Sequence, residues 1–140
     1  MSTTQPIRSK QLLHDFKEYF LTKQPNSRNY TLILIGLNTA LRINDILHLT
    51  WGDVYCTEHS RFYTHLLITE KKTEKETRIL INRELQETLL SYRKTQPSIA
   101  DTDYLFPSPR KADSPLSRYQ AYRIVRKAAE AVGIEDVIRC

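Results

Sequence analysis

The side chains of this sequence that could do chemistry are cations placed at the ends of predicted elements. Arg42 lies between two apolar stretches, so its guanidinium must reach a surface cleft or pair with a carboxylate, and Asp45 is the nearest one. A polar turn over 70–75 carries three lysines, and a basic helix follows later. Fixed positive charges of this kind suit phosphate groups. The cations in these positions are Arg42, Lys71, Lys72, Lys75, Arg118, Arg123, Arg126 and Lys127.

Other kinds of site are not indicated. The sequence has no metal-ligand spacing and no Ser/His/Asp order, and three glycines are too few to build a nucleotide-binding loop easily. Cys56 and Cys140 offer no disulfide framework, so a reducing cytoplasm is the expected location. No apolar run reaches the roughly eighteen residues that a membrane span needs. The sequence therefore predicts no metal, no cofactor and no membrane partner.

The charge balance favours a polyanionic partner. The chain carries 21 Lys and Arg against 16 Asp and Glu, a formal net charge of +5. Such an excess favours binding to phosphate-rich polymers by neutralisation and counterion release. The cations are spread along the chain with no polybasic tail, so folding would have to gather them on one face.

The elements that must position these cations are mainly helical. Apolar residues at three- and four-residue spacing predict helices over about 9–24, 28–39, 43–49, 82–95 and 117–133. The second of these, apolar on nearly every side from Leu32 to Leu37, is expected at the centre of the core.

Three short segments rich in β-branched and aromatic residues, 54–56, 61–69 and 76–81, predict an antiparallel meander. At 140 residues the chain fits one domain. The expected fold class is mainly α with a small three-stranded antiparallel β-sheet, an α+β arrangement.

Residues 39–54 resemble the first arginine box of the tyrosine recombinases, the phage integrase family. The resemblance covers a Leu-Arg-Ile core, an acid three residues after the arginine and a Leu-x-Trp-x-Asp ending. In that family the arginine contacts the scissile phosphate, so the resemblance implies that role for Arg42 and an orienting role for Asp45. Ala40 departs from the family's usual glycine, which is expected to tighten the turn but removes no reactive group.

Residues 68–81 resemble the family's β-hairpin, whose turn lysine reaches the DNA and protonates the leaving 5′ oxygen. The Lys-Thr-x-Lys spacing assigns that lysine to Lys72, with Lys71 as the competitor. Lys71 and Lys75 are then expected to be phosphate contacts. Residues 103–108 resemble the family's Tyr-Leu-Phe segment, and Leu116 with the basic helix after it resembles the stretch before the second conserved box.

The resemblance covers about residues 7–140. The family continues with a His-x-x-Arg box, a further His or Trp and a nucleophilic Tyr, and none of these is in the sequence. The expectation is therefore a partial catalytic domain over 1–140, without an amino-terminal core-binding domain, that binds double-stranded DNA but is inactive alone. Self-association through uncovered apolar surface around Leu32 to Leu37 is also expected. The alternative is a non-catalytic DNA-binding or regulatory remnant of a mobile-element gene.

Overall fold

The computed structural model of this chain describes residues 10–69, 72–96 and 99–134. Short antiparallel hairpins interrupt a series of helices, which confirms the predicted fold class of mainly α with a little β. In chain order the elements are α1 (Lys10–Glu18), a π-helical turn (Tyr19–Lys23), α2 (Ser27–Thr39), α3 (Ile43–Leu47), α4 (Trp51–Val54), β1 (Tyr55–Cys56), β2 (Arg61–Phe62), β3 (His65–Thr69), β4 (Glu76–Leu80), α5 (Arg83–Lys94) and α6 (Arg118–Ala131).

The helix predicted over 9–24 is present, but its last turn is wider than an α-helical turn. There Gln24 donates its backbone N–H to the carbonyl of Tyr19 at 3.0 Å, a five-residue span. Phe16 and Phe20 are both 2% exposed and fix this segment to the core. Asn26 then begins α2, because its side chain accepts the backbone N–H of Asn29.

Helix α2 is at the centre of the core, as predicted. Leu32, Ile33, Leu34 and Ile35 are at most 4% exposed, because α1, the π-helical turn, α3 and α5 pack around them. The expectation that this stretch leaves a large apolar surface uncovered is therefore wrong for these four residues. In that stretch only Leu37 is a large exposed side chain, at 41%.

The prediction of one three-stranded sheet is also wrong, because the described strands form two separate pairs, β1 with β2 and β3 with β4. The segment predicted as one strand over 61–69 bends at Thr64. Just before the bend, Tyr63 donates its backbone N–H to the carbonyl of Val54 at 2.8 Å. At the bend itself, the carbonyl of Thr64 accepts the N–H of Ile81, also at 2.8 Å. The two halves of this segment therefore pair with different neighbours and share no ladder.

Helix α4 begins at a capping box in which Thr50 and Asp53 satisfy each other's backbone amides. It carries Trp51, which is 2% exposed. Two side chains of α5 pack against it. The ring of Tyr92 lies 5.5 Å from the Trp51 ring, and the guanidinium of Arg93 lies 5.4 Å from the same ring. This packing joins the end of the arginine box to α5.

Helices α5 and α6 have the predicted start signals. Asn82 accepts the N–H of Leu85, and Ser117 and Gln120 form a reciprocal capping box. Gly133, at φ +86°, follows the end of α6. None of the helices in the described part of the chain is long and apolar enough to cross a membrane.

Candidate nucleic-acid interface

Arg42 is exposed at the sharp turn between α2 and α3. The turn is made by Ala40, whose backbone is in the left-handed region at φ 56° and ψ 21°. Leu41 packs against the core and Ile43 is 6% exposed, so apolar contacts hold the backbone on both sides of Arg42. The sequence thus places a permanently charged guanidinium on an anchored turn, at the amino-terminal end of α3.

Asp45 lies half-buried in the first turn of α3, where its carboxylate complements the positive end of the helix dipole. The ion pairs found within residues 10–69, 72–96 and 99–134 join other side chains, not Arg42 with Asp45. The structure therefore brings the two residues onto one short helix without pairing them, and the orienting role of Asp45 stays a prediction.

The hairpin of β3 and β4 carries Lys72 and Lys75 at its tip. Its ladder closes at the pair Thr69 and Glu76, so both lysines lie in the six-residue connection, and both are exposed. The backbone of Glu74 is left-handed there, at φ 55°. Lys71, the competing candidate for the general acid, lies outside the described residues. Strand β3 packs against α4, which is the last part of residues 39–54. The hairpin is therefore in contact with the segment that carries Arg42.

Helix α6 has one buried face and one charged face. Ala121, Ala128 and Ala129 are at most 3% exposed, and the helix packs there on α3 and on the π-helical turn. The four predicted cations are all on the exposed face: Arg118, Arg123, Arg126 and Lys127. The arrangement thus gathers cations that the linear sequence scatters among acids.

Two of these cations rest on aromatic rings of the same helix. The guanidinium of Arg123 lies 5.8 Å from the ring of Tyr119, and that of Arg118 lies 5.9 Å from the ring of Tyr122. Tyr119 is 70% exposed. Exposed arginines interleaved with aromatic rings are typical of nucleic-acid-binding surfaces.

One cation was missed by the sequence reasoning. Arg28 is half-buried near the start of α2 and lines a groove of about 820 Å³ between that helix start, the π-helical turn and α6. Arg123, Arg126 and Lys127 line the same groove. The available signal was its position two residues after the Asn26 cap, which places it at the positive end of a helix.

The tyrosines of the described residues make no hydrogen bond or ring contact with Arg42. Tyr92 is buried, donates its hydroxyl hydrogen to the carbonyl of Leu105, and has its pKa raised to about 12 by that burial. Tyr104 lies half-buried in a backbone bridge with Thr50. None of the hydrogen bonds or ring contacts found in the described ranges joins a tyrosine to Arg42. In those same ranges, no group of acidic, His and Cys side chains is arranged to hold a metal ion.

Comparison with known proteins gives one consistent result. A model described as the phage integrase family matches residues 5–140. The chain is 42% identical over 137 residues to the probable integrase/recombinase YoeC of Bacillus subtilis (strain 168), covering 98% of this chain and 69% of that protein.

Three solved structures share the fold. The XerA recombinase matches 99% of this chain with a TM-score of 0.76 at 21% identity. A lambda integrase dimer bound to a COC′ core site matches 95% with a TM-score of 0.64 at 15% identity. The Tn1549 transposon integrase in complex with circular intermediate DNA matches 99% with a TM-score of 0.61 at 19% identity. The chain spans 46%, 46% and 50% of those structures, respectively, which is about half of each.

Proposed function

This chain belongs to the phage integrase family, the tyrosine recombinases, and from that premise we propose that it is the DNA-binding, arginine-bearing part of a recombinase catalytic domain. The observation that carries the proposal is the exposed guanidinium of Arg42 on a turn anchored by Leu41 and Ile43. A guanidinium that binds a DNA phosphate must be exposed to solvent and attached to a fixed backbone, and this turn meets both requirements.

In the proposed reaction Arg42 binds the scissile phosphate of duplex DNA. A tyrosine hydroxyl releases its proton to water as its oxygen forms a bond to phosphorus, and the bond from phosphorus to the 5′ oxygen breaks, which leaves a 3′-phosphotyrosyl link. The guanidinium stabilises the negative charge that grows on the phosphorane, and Asp45 orients Arg42. Lys72 gives its proton to the departing 5′ oxygen. No metal or nucleotide takes part in this scheme.

The roles of Arg42 and Lys72 are separable in a longer protein that contains these residues together with the nucleophile. We expect Lys72→Ala to slow cleavage of an ordinary phosphodiester strongly, and to have little effect when sulfur replaces the 5′ oxygen, because a thiolate leaves without a proton. Arg42→Ala should raise the free-energy barrier to cleavage of both substrates by about 3 kcal/mol, since negative charge develops on the phosphorane in either case. Single-turnover rates on the two DNAs measure this.

Lys75→Ala is the matched control, because Lys75 lies in the same exposed turn. It should affect binding without distinguishing the two leaving groups. Equal loss on both substrates in Lys72→Ala would reassign Lys72 to phosphate binding. If the leaving-group dependence is instead found in Lys71→Ala, then Lys71 is the general acid.

The 140-residue chain should bind duplex DNA weakly and with little sequence preference, through Arg42, the hairpin lysines and the four cations of α6. Neutralising about four phosphates gives a slope of log affinity against log salt of roughly −4. Fluorescence anisotropy with labelled duplexes between low and moderate salt measures the slope. A salt-insensitive complex, or none at low salt, would contradict the proposal.

The same 140 residues should form no covalent adduct with DNA, because the His-x-x-Arg box and its tyrosine are not among them. Incubation with a nicked suicide substrate followed by denaturing electrophoresis tests this. A covalent band that is lost when one of the eight tyrosines becomes Phe would overturn it.

A regulatory remnant and a catalytic part differ in a further assay, since only the catalytic part should regain cleavage when the segment carrying the tyrosine is supplied in trans.

A further inference from the structure

We propose that the groove between α6 and the start of α2 is a second phosphate site, which binds the DNA backbone at a distance from Arg42 and has Arg28 as its anchor. This inference rests on the proposed DNA-binding function. It adds Arg28, a residue that the family resemblance did not assign. It also divides the cations of α6, because Arg123, Arg126 and Lys127 line the groove and Arg118 does not.

The charge of the groove is the first argument. Its lining includes four cations and one carboxylate, Glu130. Glu130 lies 3.8 Å from Arg126 on the same helix, and both side chains are more than half exposed. Within the described residues, Arg28, Arg123 and Lys127 have no carboxylate in ion-pair contact. Among the described residues, the groove is therefore a concentration of positive charge that an external anion would neutralise.

The second argument is that Arg28 is already held in place. Its Nε donates to Oδ1 of Asn29 at 3.0 Å, and Asn29 is only 7% exposed. The backbone N–H of Asn29 is itself bound by the side chain of the Asn26 cap, also at 3.0 Å. One of the five guanidinium donors thus fixes the side chain, while the terminal amino groups can bind phosphate bidentately. A guanidinium that is ordered beforehand loses little rotamer entropy on binding.

The position of the groove in the fold supports the same ligand. It is at the amino-terminal end of α2, a thirteen-residue helix whose dipole adds positive potential there. Arg42 follows the other end of that helix, and at 1.5 Å per residue the two sites are about 20 Å apart. No single phosphate can reach both. A duplex is long enough to do so, since about 20 Å corresponds to roughly six base-pair steps along its axis at 3.4 Å each.

The test compares single substitutions of the 140-residue chain in DNA-binding titrations at several salt concentrations. We expect Arg28→Gln to reduce the steepness of the salt dependence by about one unit and to weaken binding severalfold at low salt. Arg28→Lys should keep the slope but lose part of the affinity, because an ammonium cannot bind phosphate bidentately. Arg83→Gln is the control, since Arg83 is 93% exposed on α5 and pairs with Glu87. It should leave the slope unchanged.

Circular dichroism and thermal unfolding of each variant verify that the fold is intact. If Arg28→Gln does not fold, Arg28→Lys carries the test, and an affinity in Arg28→Lys equal to that of wild type then overturns the inference. If wild-type chain binds DNA and Arg28→Gln matches it in slope, this second site is refuted while the proposed function stands.

A second arm distinguishes DNA from a free phosphoanion. Inorganic pyrophosphate, at constant ionic strength, should compete only at concentrations far above those of the DNA phosphates. If wild-type chain binds no DNA but binds pyrophosphate in a manner that depends on Arg28, the groove serves a small phosphoanion and both the DNA assignment and the proposed function fail. Binding of neither ligand also overturns both.

Discussion

Ala40→Gly should make this protein more stable. Ala40 ends α2 with φ 56° and ψ 21°, a left-handed conformation that costs a residue with a Cβ more than it costs glycine. Its N–H still bonds to the carbonyl of Gly36 at 3.3 Å, so the turn is a helix cap that retains its hydrogen bond. Ala40 is exposed, and removing its methyl group therefore uncovers no core.

The size of the effect follows from two opposing terms. Relief of the left-handed conformation contributes about 1–2 kcal/mol. The greater freedom of glycine in the unfolded chain offsets about 0.5–1 kcal/mol of that. The net gain in the free energy of unfolding is therefore about 0.5–1 kcal/mol, which for a chain of this size raises Tm by roughly 2–4 °C.

Urea denaturation followed by circular dichroism measures the gain, with Tm as a second readout. Ala112→Gly is the matched control, because Ala112 is also exposed in a turn but is not among the described residues with positive φ. It should be neutral or slightly destabilising. If Ala40→Gly has the same stability as wild type or a lower one, the left-handed conformation of Ala40 costs no more than the freedom that glycine adds to the unfolded chain. DNA affinity should be unchanged, since Arg42 keeps its flanking apolar anchors.

Two further predictions concern the packing behind the site. Tyr92→Phe should cost about 1–3 kcal/mol of stability, because the buried carbonyl of Leu105 loses its donor. The wild-type tyrosine has a folded pKa of about 12 against an ordinary 10, so its contribution is complete below pH 10 and is lost between about pH 10 and 12; the Tyr92→Phe variant should lack that alkaline loss in pH-dependent urea unfolding. Gly52→Ala should destabilise by about 1–3 kcal/mol in the same assay, because the new Cβ would lie 3.0 Å from the backbone oxygen of Asp101, and an unchanged midpoint would contradict this.

The helices were predictable from the sequence because their signals are local. The Asn26, Asn82 and Ser117 caps are each within three residues of the amide they bind. The exposure of Arg42 was also predictable, because an arginine between two apolar stretches must place its guanidinium outside the core. The widened turn after α1 was not, because the buried pair Phe16 and Phe20 is four residues apart, a spacing that fits an α-helical turn as well as a wider one.

The strand pairing was harder to predict because it depends on residues distant in the sequence. Tyr63 and Thr64 are ordinary strand formers, and only their partners Val54 and Ile81 reveal that the chain bends between them. Arg28 was missed for a similar reason. Its significance comes from α6, which begins ninety residues later and completes the groove. Uncovered surface at Leu32 was predicted wrongly because neighbouring helices cover a face that a linear pattern cannot assign to any partner.

The burial of Trp51 gives the protein a built-in optical reporter. It is the only tryptophan in the sequence, it is 2% exposed, and it lies on the short helix that directly follows the arginine box. Its indole contacts the ring of Tyr92 and the guanidinium of Arg93, both on α5. Any motion that separates α4 from α5 must therefore bring water to the indole and shift its emission to longer wavelength. The arginine box can be followed by intrinsic fluorescence during folding or DNA titration, without attaching a label.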